Sequence, residues 1–320
     1  MNYVGLHTQQ ARNNFRSVVL LCLFPCLVLL LALLFCVLTA FFTSDNYQNL
    51  TVWEQTMPLF TNLAPYLLGG VAVWFVIAYF ANTAIIRSST GARPLERKEN
   101  KRVYNLVENL CMTQGMTMPK INVIEDDSLN AFASGINNRT YTVSLSRGII
   151  NKLDDEELEG VIAHELSHIR NRDVRLLIVS IVFVGIFAML TQIAFRVLLN
   201  SSGRSRNNKN GKGTIVVVLI ALLVAIIGYF FASLMRFAIS RKREYMADAG
   251  AAEMTHQPKA LASALRKISQ DPCIEAVTRS DVAQLFIEHP RETRQQFSGI
   301  SGLFATHPPI KKRIEILEQF

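Results

Sequence analysis

Charge and cysteine are both scarce in this sequence. Only 18% of its 320 residues are charged and five are cysteines, while 50% are hydrophobic. A chain this apolar does not belong to the intrinsically disordered class. Three cysteines lie inside one apolar segment and two stand alone, which excludes a disulfide scaffold and a cysteine zinc site: Cys22, Cys26, Cys36, Cys111 and Cys273. We interpret all five as free thiols.

Charge is absent altogether from four stretches, residues 18–42, 66–86, 176–195 and 215–235. Each reaches the roughly 20 residues that a helix needs to cross the hydrocarbon of a bilayer. We therefore predict four transmembrane or membrane-embedded helices. A buried core helix is the alternative for each, and it stays more open for the last two segments, since Gln192 interrupts one of them. The first segment is too long for the apolar core of a cleaved signal peptide.

The distribution of lysine and arginine predicts the orientation in the membrane. Two arginines precede the first segment, none of either residue lies in 43–65, and six basic residues follow the second segment within 87–102. The N-terminus and the soluble part are therefore expected on the cytoplasmic side of a multi-pass protein. The loop 196–214 carries +5. Either that hairpin crosses against the charge rule, or it does not cross fully.

The residues between and after these segments predict a water-soluble part in two halves. The first half shows helical spacing at 96–114, two alternating stretches at 120–125 and 140–145, and an acid-rich helix start at Asp154. The second half has almost wholly helical spacing. We predict an α+β integral membrane protein with a small β-sheet. It comprises a membrane region 1–90, a first catalytic half 91–175, an apolar hairpin 176–235 and a second half 236–320.

A metal-binding pattern lies on the helix that starts near Asp154. His164 and His168 are four residues apart and share one helical face, so both imidazoles can reach a single cation. Glu165 is placed to activate a water molecule and to pass its proton to a leaving amine. The alternative is a chance HExxH on a solvated helix face.

A hydrolytic zinc site needs a third protein ligand. Glu244 is the candidate, and Asp248, one turn further on, could accept the free N–H of a ligating histidine. A solvated charged helix leaving the membrane is the alternative. Asp173 is expected to pair with Arg172 or Arg175 in a structural role.

These residues resemble HtpX-type membrane zinc metalloproteases, which are gluzincins related to the CAAX prenyl endopeptidases. The similarity covers nearly the whole chain, including the stretches 130–133, 164–173 (HELSHIRNRD), 243–248 and 306–309 and the terminal helix with Arg313. It implies a mainly helical zincin-type catalytic domain and a zinc endopeptidase at the cytoplasmic face of a bacterial inner membrane. The implied role is quality control of misfolded or damaged membrane proteins under stress.

The resemblance also implies individual roles. His164, His168 and Glu244 match the ligands of one zinc ion per chain, and Glu165 matches the general base. A substrate-binding edge strand is implied for Asn130, Ala131, Phe132 and Ala133, although an ordinary sheet edge is an even alternative. His307 and Arg243 match residues that could stabilise the oxyanion. A helix-capping role for His307 and a membrane-surface role for Arg243 stay open.

Membrane proteins, unfolded polypeptides and the lipid bilayer are the expected partners, with self-cleavage in the loop 200–213 as a possibility. A metal-ion transporter is disfavoured because none of the four apolar segments contains His, Asp or Glu. The presence of Glu165 argues against a catalytically silent relative. Nucleic acid is not expected, since residues 87–175 carry 13 basic and 13 acidic residues.

Overall fold

A computed structural model describes residues 6–43, 50–204, 211–237, 241–270, 287 and 308–320. Within these residues the chain divides into two compact units. One unit comprises residues 18–79 and 179–235, and the other comprises 80–178 and 236–320 together with the N-terminal 17 residues. The two units are called the membrane unit and the catalytic unit below. The four-part division expected from the sequence stays a prediction.

Long helices build the membrane unit. Helix α1 spans Leu6–Thr43, α2 spans Val52–Thr90, α6 spans Asp173–Arg204 and α7 spans Gly211–Phe237. Three of them contain stretches long and apolar enough to cross a membrane, namely Cys22–Phe42, Val52–Ile77 and Ile215–Ala232. The described part of α6 contributes a shorter apolar stretch, Val184–Leu199. Three of the four predicted segments thus overlap a candidate span, and the third corresponds to the shorter stretch.

The second apolar helix begins earlier than its charge-free segment suggests. Thr51 and Glu54 form reciprocal hydrogen bonds, since Thr51 N donates to Glu54 Oε2 (2.8 Å) and Glu54 N donates to Thr51 Oγ1 (3.3 Å). Such a pair satisfies two backbone N–H groups at a helix start. The carboxylate of Glu54 therefore caps the helix, which starts at Val52, fourteen residues before the predicted segment.

A four-stranded mixed sheet forms one layer of the catalytic unit. The strands are β1 (Arg93–Pro94), β2 (Lys120–Ile124), β3 (Ala131–Ser134) and β4 (Thr142–Ser146), in the order β1-β2-β4-β3. The strands predicted at 120–125 and 140–145 are confirmed as β2 and β4, which pair in parallel. Strand β3 pairs antiparallel with β4 and lies at the sheet edge.

Helices pack beside this sheet. They are α3 (Lys101–Thr113), α4 (Arg147–Lys152), α5 (Asp155–Arg170), α8 (Arg241–Thr255), α9 (Pro258–Ile268) and α10 (Ile310–Leu317). Helix α5 starts at a capping box in which Asp154 Oδ1 accepts from Glu157 N (2.9 Å) and Glu157 Oε2 accepts from Asp154 N (3.2 Å). This confirms the helix predicted from Asp154.

Helix α5 is central to the catalytic unit. The buried carboxylate of Glu157 accepts hydrogen bonds from Ser263 Oγ (2.7 Å) and Lys267 Nζ (2.6 Å), which ties α9 to the start of α5. Eleven α5 residues are buried, and they include the residues on either side of His164 and of His168. Polar side chains on a helix buried on so many sides are restricted in motion, because most of them find partners inside the protein.

Candidate metal centre and active site

Three side chains from α5 and α8 meet in the interior. His164 Nε2 and His168 Nε2 lie 3.2 Å apart, and the carboxylate of Glu244 lies 3.7 Å from the first nitrogen and 3.6 Å from the second. All three ligand atoms lie within 4.8 Å of one another. The predicted set His164, His168 and Glu244 is therefore brought together, as the helical spacing requires.

The donor chemistry of this cluster fits a divalent metal. The Nδ1 atoms of His164 and His168 lie 3.0 Å from Asp248 Oδ1 and 3.3 Å from Asp173 Oδ2. A carboxylate beside Nδ1 places the ring proton there, so the Nε2 lone pairs face each other and Glu244. Two lone pairs and a carboxylate facing one another need a cation between them. Two imidazoles and one carboxylate are a ligand set that zinc uses in hydrolases.

Asp248 connects the cluster to the C-terminal helix. Arg313 Nε donates to Asp248 Oδ2 (2.9 Å) and Arg313 Nη2 donates to Asp248 Oδ1 (2.7 Å), while Arg313 Nη1 lies 3.7 Å from Glu244 Oε2. Both side chains of the Asp248–Arg313 pair are buried. The sequence predicted the contact of Asp248 with a ligating histidine and missed Arg313 as its partner.

Electrostatics in this region favour positive charge at the cluster. Burial would raise the pKa of Asp248, but the charge of Arg313 and hydrogen bonds from His164 and Arg313 bring that pKa below its ordinary value. Burial would lower the pKa of His164, yet hydrogen bonds to Asp248 and Glu244 outweigh it and raise this pKa to about 9. The buried carboxylates thus attract positive charge to the cluster.

Asp173 has a partner that was not expected from the sequence. It was expected to pair with a neighbouring arginine, and the structure puts its buried carboxylate 3.3 Å from His168 Nδ1. The turn between α5 and α6 makes this contact possible, because Arg172 adopts a left-handed conformation (φ 60°) that redirects the chain. An acid five residues after the second histidine, across a helix break, was the available signal.

Glu165 is buried beside the cluster. Burial raises the pKa of this carboxyl group, and the neighbouring charge of Glu244 acts in the same direction. The histidines and a hydrogen bond from the backbone N–H of Ala133 oppose the rise. Among the described residues, Glu165 Oε2 has no hydrogen-bond partner. A buried carboxylate with one unpartnered oxygen beside a metal cluster can take a proton from a bound water molecule.

This geometry agrees with the similarity of the chain to known proteins. The model of peptidase family M48 matches residues 97–320. The chain belongs to this family. A protease HtpX homologue of Bacteroides fragilis is 70% identical over 323 residues and covers all of both chains. A protease HtpX homologue of Dictyoglomus thermophilum is 40% identical over 257 residues, which are 78% of this chain and 81% of the relative.

A solved structure is also similar. The crystal structure of S. mikatae Ste24p has a TM-score of 0.46 and 18% identity, and the match covers 78% of this chain and 57% of that chain. The membership in family M48 and the HtpX relatives confirm the resemblance seen in the sequence. The chain is a membrane-associated metalloprotease, and its His-His-Glu cluster is the place where this chain can hold the catalytic metal of an M48 peptidase.

The edge strand lies against this M48 site. Alternate residues of a strand direct their backbone groups to the same side. Ala131 O accepts from Ile287 N (2.9 Å), and Ala133 N–H donates to the Glu165 carboxylate, so both residues use the side away from β4. Phe132 is buried, while Asn130 lies just before the strand and its backbone bonds Ser146. Part of the edge expected to receive substrate is therefore already paired within the chain.

The two candidate oxyanion residues have different positions. Arg243 is buried, and its Nη1 donates to the backbone oxygen of Asp173 (3.2 Å), which ties α8 to the start of α6. A contact with the transition state stays a prediction for this residue. His307 lies outside the described residues, as do most of those that precede it from residue 271 onward.

Proposed function

We propose that this M48 protease is a zinc-dependent endopeptidase of the bacterial inner membrane that cleaves misfolded or damaged membrane proteins from the cytoplasmic side. The observation that carries the proposal is the buried cluster of His164, His168 and Glu244 with Glu165 beside it. The geometry supports one metal ion per chain, since the described residues contain one such cluster.

His164, His168 and Glu244 would hold the zinc ion, with Asp248 and Asp173 fixing the two imidazole rings. When bound, the ion supplies Lewis acidity, which makes water a nucleophile at neutral pH. Glu165 accepts the proton of the attacking water at its unpartnered oxygen and delivers it to the amine nitrogen of the cleaved bond. The raised pKa of Glu165 suits this exchange, because burial makes its carboxylate a stronger base than an exposed one.

The proposed substrate path follows strand β3. An extended polypeptide added to this edge would gain backbone hydrogen bonds without strong choice of side chains. Ala131 O is engaged by Ile287 N and Ala133 N–H by the Glu165 carboxylate, so we expect the substrate to pair from the backbone oxygen of Ala133 onward. An unfolded segment offers its backbone for such pairing, whereas a folded domain does not.

The proposal that membrane proteins are the substrates rests on the short connection between helices α5 and α6. Helix α5 ends at Arg170 and α6 begins at Asp173, so the ligand helix leads within three residues to the helix that carries the third apolar segment. The loop expected at 200–213 is partly helical, since α6 continues to Arg204 and α7 begins at Gly211, and self-cleavage within these residues belongs to the same proposal. The inside location of the catalytic unit rests on the lysine and arginine distribution.

The mechanism is tested with the full chain in detergent and an unfolded membrane protein as substrate. We expect Glu165→Gln to retain stoichiometric zinc and to lose cleavage, and a chelator to abolish wild-type cleavage until zinc is restored. Glu156→Gln is the matched control, because Glu156 is an exposed carboxylate on the same helix. Cleavage by Glu165→Gln at the wild-type rate would refute its role as the base.

Substrate choice and topology need separate measurements. Unfolded casein and an unfolded membrane protein are compared at equal concentration, and equal rates of cleavage would contradict the preference for membrane proteins. A cysteine placed at Gly211 in a cysteine-free chain reports the topology. Labelling by an impermeant thiol reagent from outside intact cells supports a hairpin that crosses, and labelling only after permeabilisation contradicts it.

A further inference from the structure

A strongly basic cavity lies in the catalytic unit. It shares no lining residue with the metal cluster. Its volume is about 500 Å³, and its polar lining consists of Asn137, Asn138, Arg139, Tyr141, Arg172 and Arg175. No aspartate or glutamate lines it. We call these six residues the arginine pocket.

Among the residues that the structure describes, the three guanidinium groups of the arginine pocket have no acidic partner. Other arginines of the catalytic unit are paired, as Arg93 and Arg147 are with Glu125 (2.7 and 2.6 Å). Within the described ranges, no carboxylate lies at ion-pair distance from Arg139, Arg172 or Arg175. Three like charges beside one cavity repel one another, so the arrangement favours an anion that neutralises them.

The loop that carries Arg139 is held in a defined shape. Asn137 Oδ1 accepts from Arg139 N (3.0 Å) and Thr140 N (3.2 Å), which closes a tight turn. Gly135 has a φ of 106°, and a Cβ there would lie 2.4 Å from Thr140 O, so only glycine fits. The turn that carries Arg139 therefore has a defined backbone shape.

Arg172 occupies a position that suits glycine better. Its φ of 60° is left-handed, which an L-residue adopts at a cost that glycine avoids. A residue kept in this conformation with an exposed cationic side chain points to a use for that side chain. The positive charges of the pocket also affect the pKa of Tyr141. Burial raises the pKa of its phenol, and the charges of Arg172 and Arg175 oppose the rise.

We propose that the arginine pocket binds the phosphate group of an anionic phospholipid. Guanidinium groups donate paired hydrogen bonds to phosphate oxygens, and the phenol and amide side chains add further donors. Arg175 lies in the first turn of α6, and the charge-free segment begins at the next residue, Leu176. Basic residues directly beside a membrane segment meet the anionic headgroups of the cytoplasmic leaflet. The proposal depends on membrane association and not on the peptidase mechanism.

The test measures lipid binding to the full chain by native mass spectrometry in mild detergent. Phosphatidylglycerol and phosphatidylcholine with the same acyl chains are the probes, and inorganic phosphate is the competitor. We expect the wild type to retain phosphatidylglycerol in preference to phosphatidylcholine. Arg172→Gly and Arg139→Gln should each weaken phosphatidylglycerol binding about tenfold, the loss of one charge-assisted contact.

Two features keep the test decisive. Arg172→Gly should fold at least as well as the wild type, because glycine adopts the left-handed conformation without strain. Arg87→Gln is the matched control, since Arg87 is an exposed arginine at the end of another apolar helix and does not line the pocket. We expect its lipid binding to equal that of the wild type.

Three results would overturn the proposal. Unchanged phosphatidylglycerol binding in both pocket variants would show that lipid binds elsewhere. Displacement of the lipid by low millimolar inorganic phosphate would identify a soluble phosphate ligand instead. A raised KM for acidic peptide substrates in Arg172→Gly, without a change in lipid binding, would show that the pocket receives substrate side chains.

Discussion

Arg313 donates two hydrogen bonds to Asp248, a residue 65 positions earlier in the chain, and both side chains are buried. Asp248 in turn lies 3.0 Å from His164 Nδ1, and Arg313 also donates to the backbone oxygen of Ile287 (3.0 Å). Ile287 donates to the edge strand at Ala131. One guanidinium group in the C-terminal helix thus contacts both the support of a proposed metal ligand and the residue paired with the proposed substrate strand.

Replacement of Arg313 should therefore weaken metal binding as well as folding. Arg313→Met keeps the bulk of the side chain and leaves the buried Asp248 carboxylate without its charged partner, which costs about 3–5 kcal/mol of the free energy of unfolding. Loss of such an outer contact lowers metal affinity about 10- to 100-fold. Zinc titration and thermal unfolding of the purified chain measure both effects.

Arg93→Met is the control for Arg313→Met. Arg93 pairs with Glu99 (3.0 Å) and its side chain is 42% exposed, so its removal should cost less than about 1 kcal/mol. Zinc affinity should not change in this control. An Arg313→Met variant with wild-type zinc affinity would show that Asp248 holds His164 without help from α10.

Asp173 allows a test that separates charge from hydrogen bonding. Asp173→Asn keeps an oxygen that can accept from His168 Nδ1–H, whereas Asp173→Ala removes it. We expect zinc affinity about 10- to 100-fold lower in Asp173→Ala and a smaller loss in Asp173→Asn. Because Arg243 binds the backbone oxygen of Asp173, both variants leave that contact in place. Equal zinc affinity in Asp173→Ala and wild type would contradict the role of Asp173.

The parts of the site that follow a helical repeat were predictable from sequence. His164 and His168 share a face because four residues make about one turn, and the same spacing relates Glu244 to Asp248. The meeting of the two helices was inferred from the closing of an apolar hairpin between them. Strands β2 and β4 were visible as alternating apolar residues, which the two faces of a sheet impose.

Contacts that depend on chain direction after a turn were not predictable in this way. Asp173 contacts His168 only because Arg172 takes a left-handed conformation, which arginine rarely adopts and which no spacing rule signals. Arg313 has no periodic relationship to Asp248, since their contact arises from the packing of α10 beside α8. The start of α2 at Val52 was not predicted, because the expected segment began only at residue 66 and the hydrogen bonds between Thr51 and Glu54 that cap the helix lie well before it.

Cys111 provides a prediction about pH. Burial raises the pKa of its thiol to about 11 from the ordinary value of 9.0. A folded pKa above the unfolded one means that the contribution to stability is complete below about pH 9 and is lost as the pH rises toward 11. Denaturant unfolding at pH 8 and pH 10 should therefore show a loss of stability that Cys111→Ala does not share.

The same burial predicts low reactivity of Cys111. Only about one thiol in a thousand is ionised at pH 8 when the pKa is near 11, and the thiolate is the reactive form. Iodoacetamide should leave Cys111 unmodified in the native chain and modify it after denaturation, as peptide mass spectrometry can show. Rapid alkylation of native Cys111 at pH 8 would contradict its burial.

The approach of α8 to α5 depends on Gly250. A Cβ at this position would lie 2.4 Å from Ser167 Oγ and 3.2 Å from Ser167 Cβ, so Gly250→Ala should push apart the helices that carry Glu244 and the two histidines. We expect a loss of about 1–3 kcal/mol in the free energy of unfolding together with weaker zinc binding. This steric cost should outweigh the gain of up to about 1 kcal/mol that alanine brings to a helix interior.

Ser167→Ala supplies the rescue for Gly250→Ala. Among the described residues Ser167 Oγ has no hydrogen-bond partner, so its removal alone should change stability little. In the double variant Ser167→Ala/Gly250→Ala the closest contact is gone, and both stability and zinc affinity should return toward wild-type values. Gly185→Ala is the control, since a Cβ at that helical position meets nothing within 4 Å and should not destabilise the chain. Strictly additive effects in the double variant would show that Gly250 acts through another contact, because rescue requires the two side chains to collide directly.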